Sequence, residues 1–600
     1  MASAPVDGGS ICVSDGGETE NHRLALTKTI AVETVAEAYL TLLAERGIEY
    51  LFANGGTDFA PVNEALAAIR AKGSQPQLKV VAVAHENVAA SMAHGYYLMS
   101  GRPQMVMFHV NVGTANGINA LANAARDHVP MIFTAGRNPL TERGLKGSRD
   151  TGIHWAQEMF DQAGMVRELC KWDYELRNAE QIEAVVDRAI EIATSEPCGP
   201  VYLTLPREVM SQPLSEFTYT ATPRRAFGTV PGATPDQITR AADIIAAARR
   251  PLIITRELAR IAANADALAV FADAFALPII EYRSIANSVP TDHPMFLGYD
   301  PGPYLKEADA IIAIESDVPW MPTVHGDPAD DCTIVQIGVD PLWARLPIRS
   351  FPTDLAVTGA PRFVLPQIAA AIGSRIDAAT KARRRAMVKE VRDRARADAK
   401  ASLERARAMT PIQPAWASHC ISAAKDDDAL VINEYSLILR QADFPQPRTY
   451  IGTPQAGGLG WGVGAAIGAK LAAPDRLVIA TLGDGAYMFG NPTAGHQAAR
   501  ALGLPILFIV FNNAMWEEVE GSTLRVFRDG HAARSNRMPV GSLGPTAQFE
   551  HMMAIFDGYG ECVETPEALP AALERALHAV RVEKRQALLN LIVGPRGGAP

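Results

Sequence analysis

Residues 480–516 read ATLGDGAYMFGNPTAGHQAARALGLPILFIVFNNAMW, and their order decides the fold. The apolar run Leu477 to Leu482 stops at Gly483-Asp484-Gly485, a helix-like stretch follows, and a second apolar run, Ile506 to Phe511, stops at Asn512-Asn513. A strand–turn–helix–strand unit of this kind builds a parallel sheet, whose carboxyl edge is where α/β proteins bind ligands. An aspartate at one strand end and an asparagine at the next offer hard oxygen ligands, suited to Mg2+ or Ca2+ that already holds phosphate oxygens. The glycines flanking Asp484 let main-chain N–H groups approach those phosphates. Alone, Gly-Asp-Gly is a tight turn. Here each motif closes an apolar strand, with 26 residues between them, and the pair carries the information.

The rest of the chain bounds what such a site could serve. Six hundred residues are too many for one core and predict about three to four domains. With 48% hydrophobic and 20% charged residues the composition is that of a globular protein, and a net charge of −10 excludes bulk attraction to nucleic acid or an anionic membrane. The six cysteines (Cys12, Cys170, Cys198, Cys332, Cys420 and Cys562) form no CxxC pair, which argues against a zinc site or a disulfide framework and fits a reducing, cytoplasmic setting. The first 28 residues have neither the basic nor the apolar region of a secretion signal and read as a disordered tail. No apolar run reaches the roughly 18–20 residues of a membrane span. The longest, Leu502 to Phe511, is a buried strand by its length.

Helix and strand patterns alternate along three segments, so the expected fold is α/β, with three consecutive doubly wound parallel-sheet domains. The expected divisions are an N-terminal domain at 29–210, a linker at 211–234, a central domain at 235–375, a charged linker helix at 376–409 and a C-terminal domain at 410–600. In the first, a strand ends at Asn54-Gly55-Gly56-Thr57, another at His85-Glu86, and Gln104 to Phe108 runs into His109-Val110-Asn111-Val112-Gly113-Thr114-Ala115-Asn116. The run Lys381 to Arg407 mixes both signs of charge and reads as a solvated surface helix. Domains one and three have the patterns of structural relatives.

Gly483-Asp484-Gly485 followed by Asn512-Asn513 resembles the diphosphate and Mg2+ signature of thiamine diphosphate (ThDP) enzymes. Over essentially the whole chain from Thr29 the sequence is similar to the decarboxylase and acetolactate synthase superfamily, and HVNVGTAN is nearest to its benzoylformate decarboxylase branch. The resemblance implies ThDP and Mg2+ as cofactors and Asp484, Asn513 and the Met515 main-chain carbonyl as metal ligands. It implies that Gly483, Gly485, Ala486, Tyr435, Ser436 and Asn116 surround the diphosphate, that the Gly457 carbonyl accepts from the aminopyrimidine, and that Leu459 wedges the cofactor into its bent form. Glu86 is the implied acid–base partner of the pyrimidine ring. His109 is the implied proton donor or acceptor and Thr57 a substrate-binding hydroxyl. His293, in Thr291-Asp292-His293-Pro294, either reaches the active site or only shapes a turn.

The function so implied is decarboxylation of a 2-oxo acid, or related C–C cleavage, through a cofactor-bound carbanion or enamine. A carboligase of the acetolactate synthase kind, a 2-hydroxyacyl-CoA lyase and a catalytically silent regulatory subunit are the alternatives. FAD is not expected, because Leu252-Ile253-Ile254-Thr255-Arg256-Glu257 lacks the glycines that commonly follow that strand. In the family the active site lies between chains, so a homodimer or homotetramer is implied. After Met515 the sequence departs from the family: Glu517, Glu518 and Glu520 carry no family role, and 525–548 reads as a lid, an anion-binding loop or a plain surface loop.

Overall fold

A computed structural model describes residues 27–73, 77–221, 230, 232–535 and 537–594. Apolar runs too short and too β-branched for helices become strands, and they collect into three six-stranded parallel sheets. The N-terminal sheet has the spatial order Lys79–Ala82, Tyr50–Asn54, Gln104–Phe108, Met131–Arg137, Val201–Pro206, Asp173–Glu175. The C-terminal sheet has the order Tyr450–Ile451, Leu430–Glu434, Val478–Gly483, Leu507–Asn512, Ala587–Ile592, Tyr559–Val563. Numbered along the chain, both run 2-1-3-4-6-5, so these two domains share one topology. The central sheet runs 3-2-1-4-5-6.

In each sheet the order reverses beside its first strand, and that switch point opens a crevice at the strands' carboxyl ends. In the N-terminal sheet the crevice receives the loop after Asn54 and the residue after Phe108; in the C-terminal sheet it receives Tyr435-Ser436 and Asp484. The central sheet's crevice is filled by protein: Arg256 bonds Glu257 at 2.7 Å and Asp127 at 3.0 Å, with Asp317 at 3.7 Å.

The outer domains are locked together by two helices, Glu86–Ser100 and Trp461–Ala472, that lie side by side in the same sense. Small residues bring their backbones into contact: a Cβ on Gly95 would stand 2.1 Å from the Ala465 carbonyl oxygen, and one on Gly468 1.9 Å from that of Met92.

Several boundaries differ from the sequence reading. The strand Thr27–Ala31 pairs antiparallel with Glu216–Thr220, so residues 27 and 28 leave the expected tail and 216–220 leave the expected linker. The remaining tail and 222–229 lie outside the described residues. The residues after Phe108 turn at once into the helix Val110–Arg126, with His109 at its N-cap. Leu502 caps the helix Pro492–Ala501, and the following strand begins only at Leu507. The charged helix, Ala378–Arg407, is not wholly solvated: Arg384 is buried and donates to the carbonyls of Phe275, Ile245 and Ala248 at 2.9, 3.3 and 2.6 Å. Those are the C-terminal carbonyls of the helices Pro235–Ala247 and Ala262–Phe275, left unsatisfied by helix geometry.

Candidate active site

The N-terminal crevice gathers a polar cluster. After Asn54 the chain turns through Gly55-Gly56 into Thr57-Asp58. Asp58 is buried; its Oδ1 lies 2.6 Å from His109 Nδ1, and its Oδ2 accepts from the Val110 N–H at 3.3 Å. Glycines make this possible, since a Cβ on Gly56 would fall 2.2 Å from His109 Nδ1 and one on Gly136 1.8 Å from Asp58 Oδ2. The other ring nitrogen, His109 Nε2, lies 3.3 Å from Gln157 Nε2. Thr57 Oγ1 sits 3.1 Å from Nε2 of buried His154. The Asp58 hydrogen bond holds the His109 imidazole above its ordinary pKa, outweighing burial, with Glu86 adding a smaller upward pull. His154 is pushed the other way, by burial first and then by Arg207.

Glu86 begins its helix, where a carboxylate is favoured by the helix dipole, and His85 caps that end by accepting from the Asn87 N–H at 3.2 Å. The Asn116 carboxamide, which the family resemblance puts at the diphosphate, donates to Glu86 at 2.5 Å.

The C-terminal crevice presents an oxygen set. Asp484 is buried, and its two carboxylate oxygens accept from the N–H groups of Gly485 and Ala514 at 2.7 and 2.6 Å. Burial raises its pKa, and among the described residues no Lys or Arg forms an ion pair with it. Asn513 Oδ1 accepts from the Met515 N–H at 3.1 Å, and its Nδ2 approaches Glu517 at 3.3 Å. A Cβ on Gly483 would meet nothing within 4 Å, so the strand end opens onto free space, whereas Gly485 is packed against the Trp516 ring. A buried carboxylate without a cationic side chain, beside a carboxamide oxygen, is a donor set that fits Mg2+. Tyr435 is in left-handed backbone, and its hydroxyl would stand 3.3 Å from a Cβ on Gly457, itself left-handed at φ 66°. Ser436 is turned inward, its hydroxyl donating to the Glu434 carbonyl at 3.2 Å. Ala486 is buried in the short helix Asp484–Phe489.

The glycine-rich segment 457–460 is held by residues that the sequence did not single out. Asn123 donates to the Gly458 carbonyl, Asn119 to that of Leu459 and Asn87 to that of Gly460, at 2.8, 2.9 and 3.3 Å. Glu434, fully buried, accepts from the N–H groups of Gly460, Trp461 and Gly462 and so caps the helix Trp461–Ala472; burial pushes its pKa up to about 7. Asp58, His154 and Gln157 were missed as well. A carboxylate two residues after the Gly55-Gly56 pair was the available signal for Asp58; nothing local marks the other two.

His293 is not brought to either cluster. Its Nδ1 accepts from the Met295 N–H at 3.2 Å, its carbonyl accepts from Arg392 at 2.6 Å, and its contacts are those of a turn residue against the charged helix. The segment 525–548 folds back on the metal-ligand candidates: Met515 bridges Ser542, and the Trp516 N–H donates to the Gly541 carbonyl at 2.6 Å.

Three family models match the chain in order: "Thiamine pyrophosphate enzyme, N-terminal TPP binding domain" at residues 33–165, "Thiamine pyrophosphate enzyme, central domain" at 238–368, and "Thiamine pyrophosphate enzyme, C-terminal TPP binding domain" at 434–590. Among characterised relatives, benzoylformate decarboxylase of Pseudomonas aeruginosa is 28% identical over 81% of this chain and 87% of its own length. "Probable 2-ketoarginine decarboxylase AruI" of the same species is 25% identical, covering 91% of each chain. The solved structure of the Rhodococcus jostii RHA1 thiamine diphosphate-dependent 4-hydroxybenzoylformate decarboxylase has the same fold, with a TM-score of 0.72 at 22% identity over 94% of this chain and 99% of that one. Matched in all three of its domains, the chain belongs to the thiamine pyrophosphate enzyme family.

Proposed function

We propose that the protein is a ThDP- and Mg2+-dependent decarboxylase or C–C lyase acting on 2-oxo acids. The observation that carries this reading is His109: an imidazole at the N-terminal crevice, paired with buried Asp58, beside Thr57 and within electrostatic reach of Glu86. The decarboxylase relatives, which by their names act on 2-oxo acids, support the substrate class. When bound, ThDP supplies a nucleophilic carbon and an electron sink for cleavage beside a carbonyl.

The chain's own residues have these roles. Asp484, Asn513 and the Met515 carbonyl hold Mg2+, and Tyr435 with the main chain at Gly483 to Ala486 holds the diphosphate. In the bound state Glu86 would hold a proton at the aminopyrimidine, the Gly457 carbonyl would accept from its amino group, and Leu459 would support the ring. Asn116 orients the Glu86 carboxylate. Thr57 binds the substrate, and His109, with Nδ1 fixed by Asp58, moves a proton to or from the reacting carbon through Nε2. The site lies between two copies of the chain in this reading. Exposed apolar side chains flank both crevices in support of it, namely Met488 and Phe489 beside Asp484, and Ile153 and Trp155 beside His154.

The test is turnover of single 2-oxo acids with ThDP and Mg2+. Release of CO2 and free aldehyde, abolished in Glu86→Gln, is the expected result. Condensation products without free aldehyde would replace the decarboxylase by a carboligase. Failure to bind ThDP, read by tryptophan fluorescence, would reject the site.

A further inference from the structure

Behind the C-terminal crevice runs a chain of three buried polar side chains, Tyr487, His496 and Gln586. It begins on the helix Asp484–Phe489, which is six residues long and has few side chains to fix it. Gly485 has none, Ala486 adds a methyl, and Met488 and Phe489 are exposed. Tyr487 is the exception. Its ring is fully buried and edge-on to Phe549 at 5.2 Å, and its hydroxyl lies 2.7 Å from Nε2 of His496, on the helix Pro492–Ala501.

The hydrogens along this chain can be assigned. Gln586 Nε2 donates to the His496 carbonyl at 3.1 Å, which fixes the amide orientation and turns Oε1 toward His496 Nδ1 at 2.9 Å. An amide oxygen only accepts, so Nδ1 carries the hydrogen. Burial pushes the imidazole pKa down to about 4 and keeps the ring neutral. Its Nε2 is therefore an acceptor, and the Tyr487 hydroxyl is the donor.

The other contacts of His496 lead to the second metal-ligand candidate. The ring stands edge-on to Phe508 at 4.6 Å, on the strand Leu507–Asn512 that delivers Asn513. Gln586 directly precedes Ala587–Ile592, the strand paired with Leu507–Asn512. His496 thus sits between the helix that begins with Asp484 and the strand that ends beside Asn513. A hydrogen bond on one side and a close-packed ring on the other set the spacing of those two elements. Spacing matters unequally to different cations. Mg2+ demands a near-ideal octahedron at about 2.0–2.1 Å, whereas Ca2+ accepts irregular shells at about 2.3–2.6 Å.

We propose that Tyr487, His496 and Gln586 are positioning residues that hold Asp484 and Asn513 at a fixed separation and so make the site selective for Mg2+ over Ca2+. This selectivity rests on Asp484 and Asn513 being the metal ligands.

The test titrates Mg2+ and, separately, Ca2+ into the full-length protein at fixed ThDP, followed by tryptophan fluorescence. The wild-type protein is expected to bind Mg2+ more tightly than Ca2+. Tyr487→Phe, which removes a single oxygen, should weaken Mg2+ roughly fivefold or more and Ca2+ less than about twofold. His496→Gln, whose amide oxygen can still accept from Tyr487, should keep more of the Mg2+ preference than His496→Leu. Thermal midpoints check that each variant is folded. A lowered midpoint with the preference unchanged, or equal loss of both cations, reduces the three residues to packing and overturns the proposal. So does a wild-type protein without preference. If Asp484→Asn leaves Mg2+-dependent ThDP binding intact, the metal-ligand assignment itself fails, and the selectivity with it.

Discussion

Asp58→Asn removes one negative charge from beneath His109 while keeping the side-chain volume. The carboxylate lies 2.6 Å from Nδ1 with the imidazole half-buried, a geometry in which a charge-assisted hydrogen bond contributes about 1.5–3 kcal/mol. That stabilisation favours the protonated ring, so its loss lowers the protonated fraction above the His109 pKa, and any turnover that needs it, by about 10- to 150-fold, at about 1.4 kcal/mol per factor of ten. The sign on pH follows from the same contact. Asp58 raises the His109 pKa, so turnover that needs the protonated ring falls as pH rises through that pKa, and Asp58→Asn should move this limb to lower pH. The assay is steady-state kcat against pH with a 2-oxo acid, together with the His109 ring titration by NMR and a thermal midpoint to check folding. The reasoning fails if Asp58→Asn keeps kcat within twofold and the limb unmoved while His109→Ala is slow. A shifted NMR titration with no change in turnover would leave the dyad intact but remove His109 from the chemistry.

Other consequences are simpler to read. Asp484→Asn should weaken ThDP binding at fixed Mg2+ at least tenfold, measured by fluorescence titration, because a neutral oxygen replaces the one buried carboxylate at that strand end. Arg384→Ala should destabilise the protein by about 2–4 kcal/mol in urea denaturation, by leaving three buried helix carbonyls without a donor, with kcat/KM unchanged in the folded fraction. Gly95→Ala should cost about 1–3 kcal/mol, because the added carbon would stand 2.1 Å from the Ala465 carbonyl oxygen and the helices must part.

What the sequence revealed depended on range. The strands around Asp484 and Asn513 were legible because each is a short apolar run closed by a motif of its own, and the same holds for the strand before His109. The start of the helix at Glu86 was legible because a carboxylate between a strand and a small-residue run is a local pattern. The asparagines holding 458–460 were not, since Asn87, Asn119 and Asn123 meet carbonyls more than 330 residues away, and only the packed helices bring them there. Asp58 looked like any turn carboxylate until Gly136, from a different strand, was seen to leave room for it. Arg384 was hidden by its neighbours, because one inward guanidinium among many outward charges leaves no periodic trace.

That buried arginine changes how the chain can be taken apart. By composition, Ala378–Arg407 invites a cut: it is rich in trypsin sites and looks like a tether between two modules. Its guanidinium instead serves as the central domain's missing last residue, so an excised fragment ending before 378 would lack a structural part of itself. A soluble central fragment therefore has to run through this helix, and limited trypsinolysis of the intact protein should spare the bond after Arg384 while nicking the exposed arginines nearby.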